Sequence, residues 1–439
     1  MRTDSAAGPD CIPTAFVKFA RVRGVGGARQ HVLLPVLCDL IEVCLREGRI
    51  PDSWKVARLS PLHKKGDLLN PGNYRLLAVS SCLYRLYANV VRHIMTKWSV
   101  ANGKVPDTQF GFYPERNTMQ PMFVLRHLVS AAKRVRGGRV FAAFIDFSQA
   151  YDRVDRGRLW SHLQGMGMPA PLLAVVRDMY TGDAYELVDG EKRTGRIAPA
   201  MGVKQGCPLS PLLFSLFMND VKQYFPAERG ATAAMPGVRV SHIMYADDLT
   251  LLASKANELQ ALLNNLDRYA SEKGLSVNVG KSQVLVFHSQ QRDRVPAFRL
   301  GAHALEVVAQ FKYLGVVFDK SGKMSVAADF AARPLMAGIR RVDEMAEQHC
   351  VTDRPHAMLW LFQSFGLSGG MYGAQIWSTG YLANPNRVPL VHRRHLGFIK
   401  RVLRVKQSVN THVALRETGQ LPVRYYWFRS VVRFWNAMV

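Results

Sequence analysis

Hydrophobic positions along this chain follow two regimes that change over near residue 320. In the first, helical stretches alternate with short apolar runs. Arg29 to Arg46 is spaced as a helix through Val32, Leu33, Val36, Leu37, Leu40 and Ile41, with Gly48 as its stop. Leu83 to Trp98 and Met119 to Val135 predict two more helices. Gly137-Gly138 then breaks the chain ahead of Val140-Phe141-Ala142-Ala143-Phe144-Ile145, a run without polar alternation that predicts a buried strand. Ser210-Pro211 predicts a helix start, Ser as N-cap and Pro at the first helical position, continuing to Val221. Val238 to Met244 and Leu249 to Ala253 predict two strands joined as a hairpin through Tyr245-Ala246-Asp247-Asp248. Asn257 to Glu272 predicts a helix, and Ser282 to His288 and Phe311 to Phe318 predict strands. Mixed elements of this kind predict an α+β fold. Beyond residue 325 the pattern is helical, and the break is expected between Asp319 and Pro334.

Composition narrows the class. At roughly 150 residues per domain, 439 residues predict two or three domains. Hydrophobic residues at 48% and charged residues at 21% give enough apolar mass for a core and exclude global disorder. With a mean hydropathy of −0.05 and no apolar run long enough to span a bilayer, no membrane span is expected. Nor does an apolar stretch come after Met1-Arg2-Thr3-Asp4-Ser5, so a secretory signal is not expected. The six cysteines show no CxxC spacing, which suits a reduced intracellular protein without structural zinc.

Charge changes the picture more. The chain carries a formal +25, with a pI near 10.1. That favours a polyanionic partner, nucleic acid before lipid, over a merely soluble basic surface. Tyr381 to Val439 alone holds 11 Lys and Arg against one acid, Glu417. There Leu396, Ile399 and Leu403 share one helical face, and Arg393, Arg394, Lys400, Arg401 and Arg404 lie on the other.

Against this background two acidic sites stand out. Asp146 ends the buried run, within Phe144-Ile145-Asp146-Phe147-Ser148-Gln149-Ala150-Tyr151-Asp152, and Asp247-Asp248 occupy the hairpin tip. Either alone is compatible with ordinary turn or cap chemistry. Adjacent acids in a tight turn repel one another, however, and a divalent cation relieves that. If strand end and hairpin tip meet, Asp146, Asp247 and Asp248 form a hard-oxygen cluster suited to Mg²⁺, and in a basic chain this suggests phosphoryl transfer on a nucleic acid.

The sequence resembles the reverse transcriptases of non-LTR (LINE-type) retrotransposons. The matching blocks stand in family order: AGPDCIP at 7–13, WKVARLSPLHKKGDLLNPGNYR at 54–75, QFGF at 109–112, FIDFSQAYD at 144–152, QGCPLSP at 205–211, YADD at 245–248, GLSVNVGKS at 274–282 and FKYLG at 311–315. The YGAQIW run at 372–377 and Glu417-Thr418-Gly419 resemble the region C-terminal to the polymerase in this family. The resemblance implies a right-hand polymerase, fingers and palm over 1–320, thumb and a basic helical linker over 321–439. It implies an RNA-directed DNA polymerase that extends a DNA primer on an RNA template with dNTPs and two Mg²⁺ ions, Mn²⁺ being a possible substitute. An endonuclease domain would accompany it in a full-length element and is not expected within these residues. The same resemblance implies an intracellular protein, nuclear where it acts on genomic targets. Two rivals are a group II intron or retron-type enzyme, against which the 54–75 run and the YGAQIW tail speak, and an inactive RNA-binding remnant, against which the intact acids speak.

The resemblance also implies roles, residue by residue. Asp146 and Asp247 would ligate metal, with Asp248 beside them and the Phe147 carbonyl assisting. Tyr151 would be the sugar gate, or else an ordinary core tyrosine. Gln205 and Gly206 would contact the nucleotide, and Lys65 and Arg75 would hold its triphosphate. Leu76 stands where the family commonly has proline. Lys281 would be a general acid for the leaving pyrophosphate, or a surface lysine. Tyr313, Leu314 and Gly315 would form the primer grip, or a plain strand pair of the core.

Overall fold

The structure, a computed structural model, describes residues 5–23, 29–64, 66–189, 192–290, 296–384 and 386–438. Its contacts divide into two compact units. One comprises Met1–Tyr113, Phe147–Tyr224 and Leu266–Asn278; the other comprises Pro114–Asp146, Phe225–Asn265 and Val279–Val439.

In the first unit a four-stranded sheet runs in the order Tyr74–Ser80, Val56–His63, Ala184–Asp189, Lys192–Arg193. The helix Cys82–Ala101 comes directly after the first of these strands. Ser81 caps it, its side chain accepting from the Tyr84 N–H at 3.1 Å. Tyr84, Tyr87, Val91 and Met95 recur at helical spacing and are all fully buried, each adding roughly 1.5–3 kcal/mol of apolar burial. The helix Ser210–Phe217 supplies Phe214 and Phe217 to the same interior. Leu209, not Ser210, is its N-cap, and the helix ends at Phe217 before a 3₁₀ turn at Asn219–Gln223.

The second unit is built on a six-stranded sheet ordered His242–Tyr245, Asp248–Ala253, Val140–Ile145, Gln283–Phe287, His303–Val308, Phe298–Leu300. The run Val140–Ile145 is central, antiparallel to both neighbours, and buried at every residue. This position explains its unbroken apolar character. The expected strand Val238 to Met244 breaks at Ser241, whose Oγ donates to the Phe225 carbonyl. Arg239–Val240 pairs with Ala231–Thr232, while His242–Tyr245 joins the large sheet. Phe311 to Phe318 is likewise a hairpin, Gln310–Tyr313 against Val316–Asp319, and Phe311 stacks on Phe144 with centroids 4.0 Å apart.

Helices then take over as the pattern predicts, although the first predicted helix, Arg29 to Arg46, starts only at Leu34. Ser325–Gln348 buries Ala328, Ala331, Leu335, Val342 and Ala346. Its Gly338 meets the segment Phe362–Leu367 so closely that a Cβ would stand 2.6 Å from the Gly366 Cα. In the helix Leu390–Val402, Lys400 is buried, contrary to its expected place on the solvent face, because its Nζ donates to the Gln407 carbonyl at 2.7 Å. No helix among the described residues is long and apolar enough to cross a membrane.

His395 of that helix is fully buried, with both ring nitrogens unpaired among the described residues. Burial, then the neighbouring His392, holds it down to about 4. The unfolded chain therefore binds more protons than the native one between about pH 6.5 and 4, so stability falls on acidification through that window, by roughly 3 kcal/mol for this group. Replacing it by leucine should flatten the loss: melting temperatures at pH 7.5 and 5 should differ less in His395→Leu than in the parent.

Candidate active site

The hairpin places its acids by register. Tyr245 and Asp248 form the last pair, leaving Ala246-Asp247 as a two-residue turn. Ala246 is left-handed at φ 58, a position usually taken by glycine, at a cost of about 1 kcal/mol. Leu249 pairs with Ile145, so Asp248 stands across from Asp146 one step beyond the ladder. Partial burial, then the charges of Asp247 and Asp146, push the Asp248 carboxyl up to about 6. Its exposed edge screens part of that repulsion. The Asp146 N–H donates to Ser282 Oγ at 3.1 Å, and its Oδ2 lies 3.9 Å from Lys281 Nζ. Both charged side chains are well exposed, so that ion pair contributes little to stability.

The donor set fits a hard divalent cation: three short carboxylates at adjoining strand ends, with a like-charge repulsion that an exposed lysine only partly offsets. Among the described residues no three His, Cys, Asp or Glu side chains already close around one point.

The first unit gathers a different group. Gln205 lies against the strand Tyr74–Ser80, its carbonyl accepting from the Ala78 N–H at 2.7 Å. Gly206 has φ 108, and a Cβ there would stand 2.6 Å from the Ala78 carbonyl oxygen, so only glycine fits. Gln205 Nε2 donates to Asp152 Oδ2 at 2.7 Å. Tyr151 accepts from the Val203 N–H through its carbonyl at 2.8 Å and stacks on Phe214 at 4.9 Å. Arg75 is exposed on the same strand as Ala78, paired with Leu62 across the ladder. Lys65 lies outside the described residues. Phe147 is buried, and its backbone forms an antiparallel bridge with Val277.

The hairpin at 310–319 turns through Leu314 and Gly315, both left-handed at φ 44 and 92. Tyr372 Oη donates to the Leu314 carbonyl at 2.7 Å, and its ring lies where a Gly315 Cβ would stand, 2.7 Å away. Tyr313 is withdrawn into the core at 3% exposure, beside Phe144.

The family described as "Reverse transcriptase (RNA-dependent DNA polymerase)" matches residues 62–318, more than half the chain. The chain belongs to the reverse transcriptase family. Among its relatives is the Retrovirus-related Pol polyprotein from type-2 retrotransposable element R2DM of Drosophila melanogaster, 28% identical over 66% of this chain and 27% of that protein. Another is the probable RNA-directed DNA polymerase from transposon BS of the same fly, 28% identical over 89% of this chain and 44% of that protein. The chain thus spans less than half the length of these curated relatives, which mark it as a reverse transcriptase of the non-LTR type. A solved telomerase from Candida albicans, in complex with a TWJ fragment of telomeric RNA, covers 91% of this chain and 71% of its own at 10% identity, with a TM-score of 0.47. Membership of the reverse transcriptase family assigns the fold of a right-hand polymerase, and the family generally uses divalent metal ions.

Three residues that position this reverse transcriptase's candidate groups escaped sequence reasoning. Ser282 accepts from the Asp146 backbone, Asp152 holds Gln205, and the Lys204 carbonyl closes the Gln205-Gly206 turn by accepting from the Cys207 N–H at 3.1 Å. Ser282 and Asp152 lie inside motif blocks, but only geometry shows what they bond. Lys204 gives no signal beyond its adjacency to Gln205.

Proposed function

We propose that this chain extends a DNA primer on an RNA template, adding dNTPs by in-line attack of the primer 3′-oxygen. The observation that carries the reading is the register that sets Asp146 across from Asp248 with Asp247 in the adjoining turn. Asp146, Asp247, Asp248 and the Phe147 carbonyl would hold two magnesium ions, or manganese, which when bound neutralise triphosphate charge and acidify the 3′-hydroxyl. Lys65 and Arg75 clamp phosphate oxygens, Arg through two donors at once. Gly206 admits close approach of the nucleotide, and Gln205, steadied by Asp152, hydrogen-bonds it. Lys281 protonates the leaving pyrophosphate. Leu314 and Gly315 hold the primer strand. Residues 1–320 serve as fingers and palm, and 321–439 as thumb and basic linker. The deciding assay is primer extension on poly(rA)/oligo(dT) with Mg²⁺ and dTTP. Extended product supports the reading, whereas retained RNA binding without extension would make the chain an inactive remnant.

Tyr151 supplies a test of sugar selection. Its ring is fixed by Phe214, and an aromatic edge at C2′ would clash with a ribose hydroxyl. Tyr151→Val should raise ribonucleotide incorporation relative to deoxyribonucleotide by at least about tenfold, roughly 1.4 kcal/mol of discrimination. Unchanged discrimination would leave Tyr151 a packing residue only.

A further inference from the structure

The strand that ends at Asp146 has another end, and the structure is charged there too. Val140 pairs with Phe287, and the next residue, His288, lines a cavity of about 900 Å³ within the second unit. Six residues of strand separate this end from Asp146, about 20 Å. Arg126, Lys133, Arg134, Lys323, Arg387 and Arg393 line the cavity, against one carboxylate, Asp329. Five of the six cations are exposed and Arg126 is half-buried. None of the six has an ion-pair partner among the described residues. Arg126 instead donates to Ser130 Oγ at 2.8 Å, which fixes one wall.

Six cations converging on one concavity repel each other, and low-dielectric walls strengthen that repulsion. A chain of phosphates relieves it at several points at once. The volume exceeds what a single phosphate requires, and the half-buried Tyr381 on the lining offers an aromatic edge to a base. We propose that this cavity is a second nucleic-acid site, which holds the phosphodiester backbone of a strand segment away from the point of synthesis. It goes beyond the polymerase reading, because it needs neither the acids nor the nucleotide-binding loops.

The test is fluorescence anisotropy with a labelled single-stranded RNA over a KCl series, using the full chain. The triple variant Lys133→Gln, Arg134→Gln, Arg387→Gln removes three exposed charges from the cavity. A control, Arg92→Gln, Lys97→Gln, Lys222→Gln, removes the same charge from exposed positions of the first unit. The cavity triple should lower the slope of log K against log salt by about 2 and weaken binding at least about tenfold near 0.1 M salt, with the control slope unchanged. Arg134→Lys with Arg387→Lys should bind like the parent. Competition by unlabelled RNA and DNA of the same sequence then identifies which strand occupies the site. Equal slopes in the two triples, a comparable loss in the lysine variant, or no salt-dependent binding by the parent would overturn the proposal. Failure of primer extension would overturn the polymerase reading alone, since this readout is binding.

Discussion

Asp247→Asn is expected to lower primer extension at least about 10³-fold, close to 4 kcal/mol of transition-state stabilisation, while template binding stays within a few-fold of the parent. The asymmetry arises from where the two functions lie. Asparagine keeps the size and turn preference of Asp247, so the hairpin persists. It loses the anionic oxygen that a divalent cation requires. Binding, in contrast, is driven by a chain of net charge +25, and one fewer acid cannot weaken its attraction for phosphate. Stability supplies the control. Asp247 is one of the charges that push Asp248 upward, so removing it relieves repulsion and the melting temperature should hold or rise. Extension kinetics, RNA anisotropy and a melting curve on the same preparation check all three. Retained extension would remove Asp247 from the catalytic group, and a lowered melting temperature would make its role structural.

The elements were legible wherever local pattern and tertiary environment agreed. Val140–Ile145 is apolar throughout because strands flank it on both sides, and it was readable as buried for that reason. The helix at 82–101 was readable because its buried positions repeat at helical spacing. The 311–318 segment misled because Tyr313 and Val316 are both apolar-facing, so the turn at Leu314-Gly315 interrupts nothing in the hydrophobic pattern. Lys400 misled because its charge is satisfied by a carbonyl seven residues along, a partner that periodicity does not show. At the candidate site, the acids were visible as carboxylates misplaced in a basic chain. The supports of Asp146 and Gln205 were not, since Ser282 and Asp152 act through hydrogen bonds that span 136 and 53 residues.

Asp183→Ala should cost about 3–5 kcal/mol, a large share of a typical domain's stability, although Asp183 touches none of the candidate catalytic groups. Asp183 is 3% exposed and clamps Arg156 with two bonds, at 2.8 and 3.0 Å. It also lies 3.7 Å from the Nζ of Lys204, which is fully buried beside the Tyr84 ring and donates to the Met179 carbonyl. Burial pulls the Lys204 pKa down, and Asp183 is the first influence that pulls it back. Alanine at 183 leaves the buried Lys204 beside the half-buried Arg156 with no carboxylate between them. Lys204→Met should cost less, because Asp183 keeps its Arg156 clamp, and adding it to Asp183→Ala should recover part of the loss. The pH dependence is diagnostic. Without Asp183 the native Lys204 pKa drops further below its unfolded value, so the unfolded state binds more protons and stability rises with pH. Urea denaturation at pH 7 and 9 should therefore show Asp183→Ala regaining stability at the higher pH, a gain absent from the double variant. Equal costs for the two single variants, or no recovery in the double, would show that Asp183 acts through Arg156 alone.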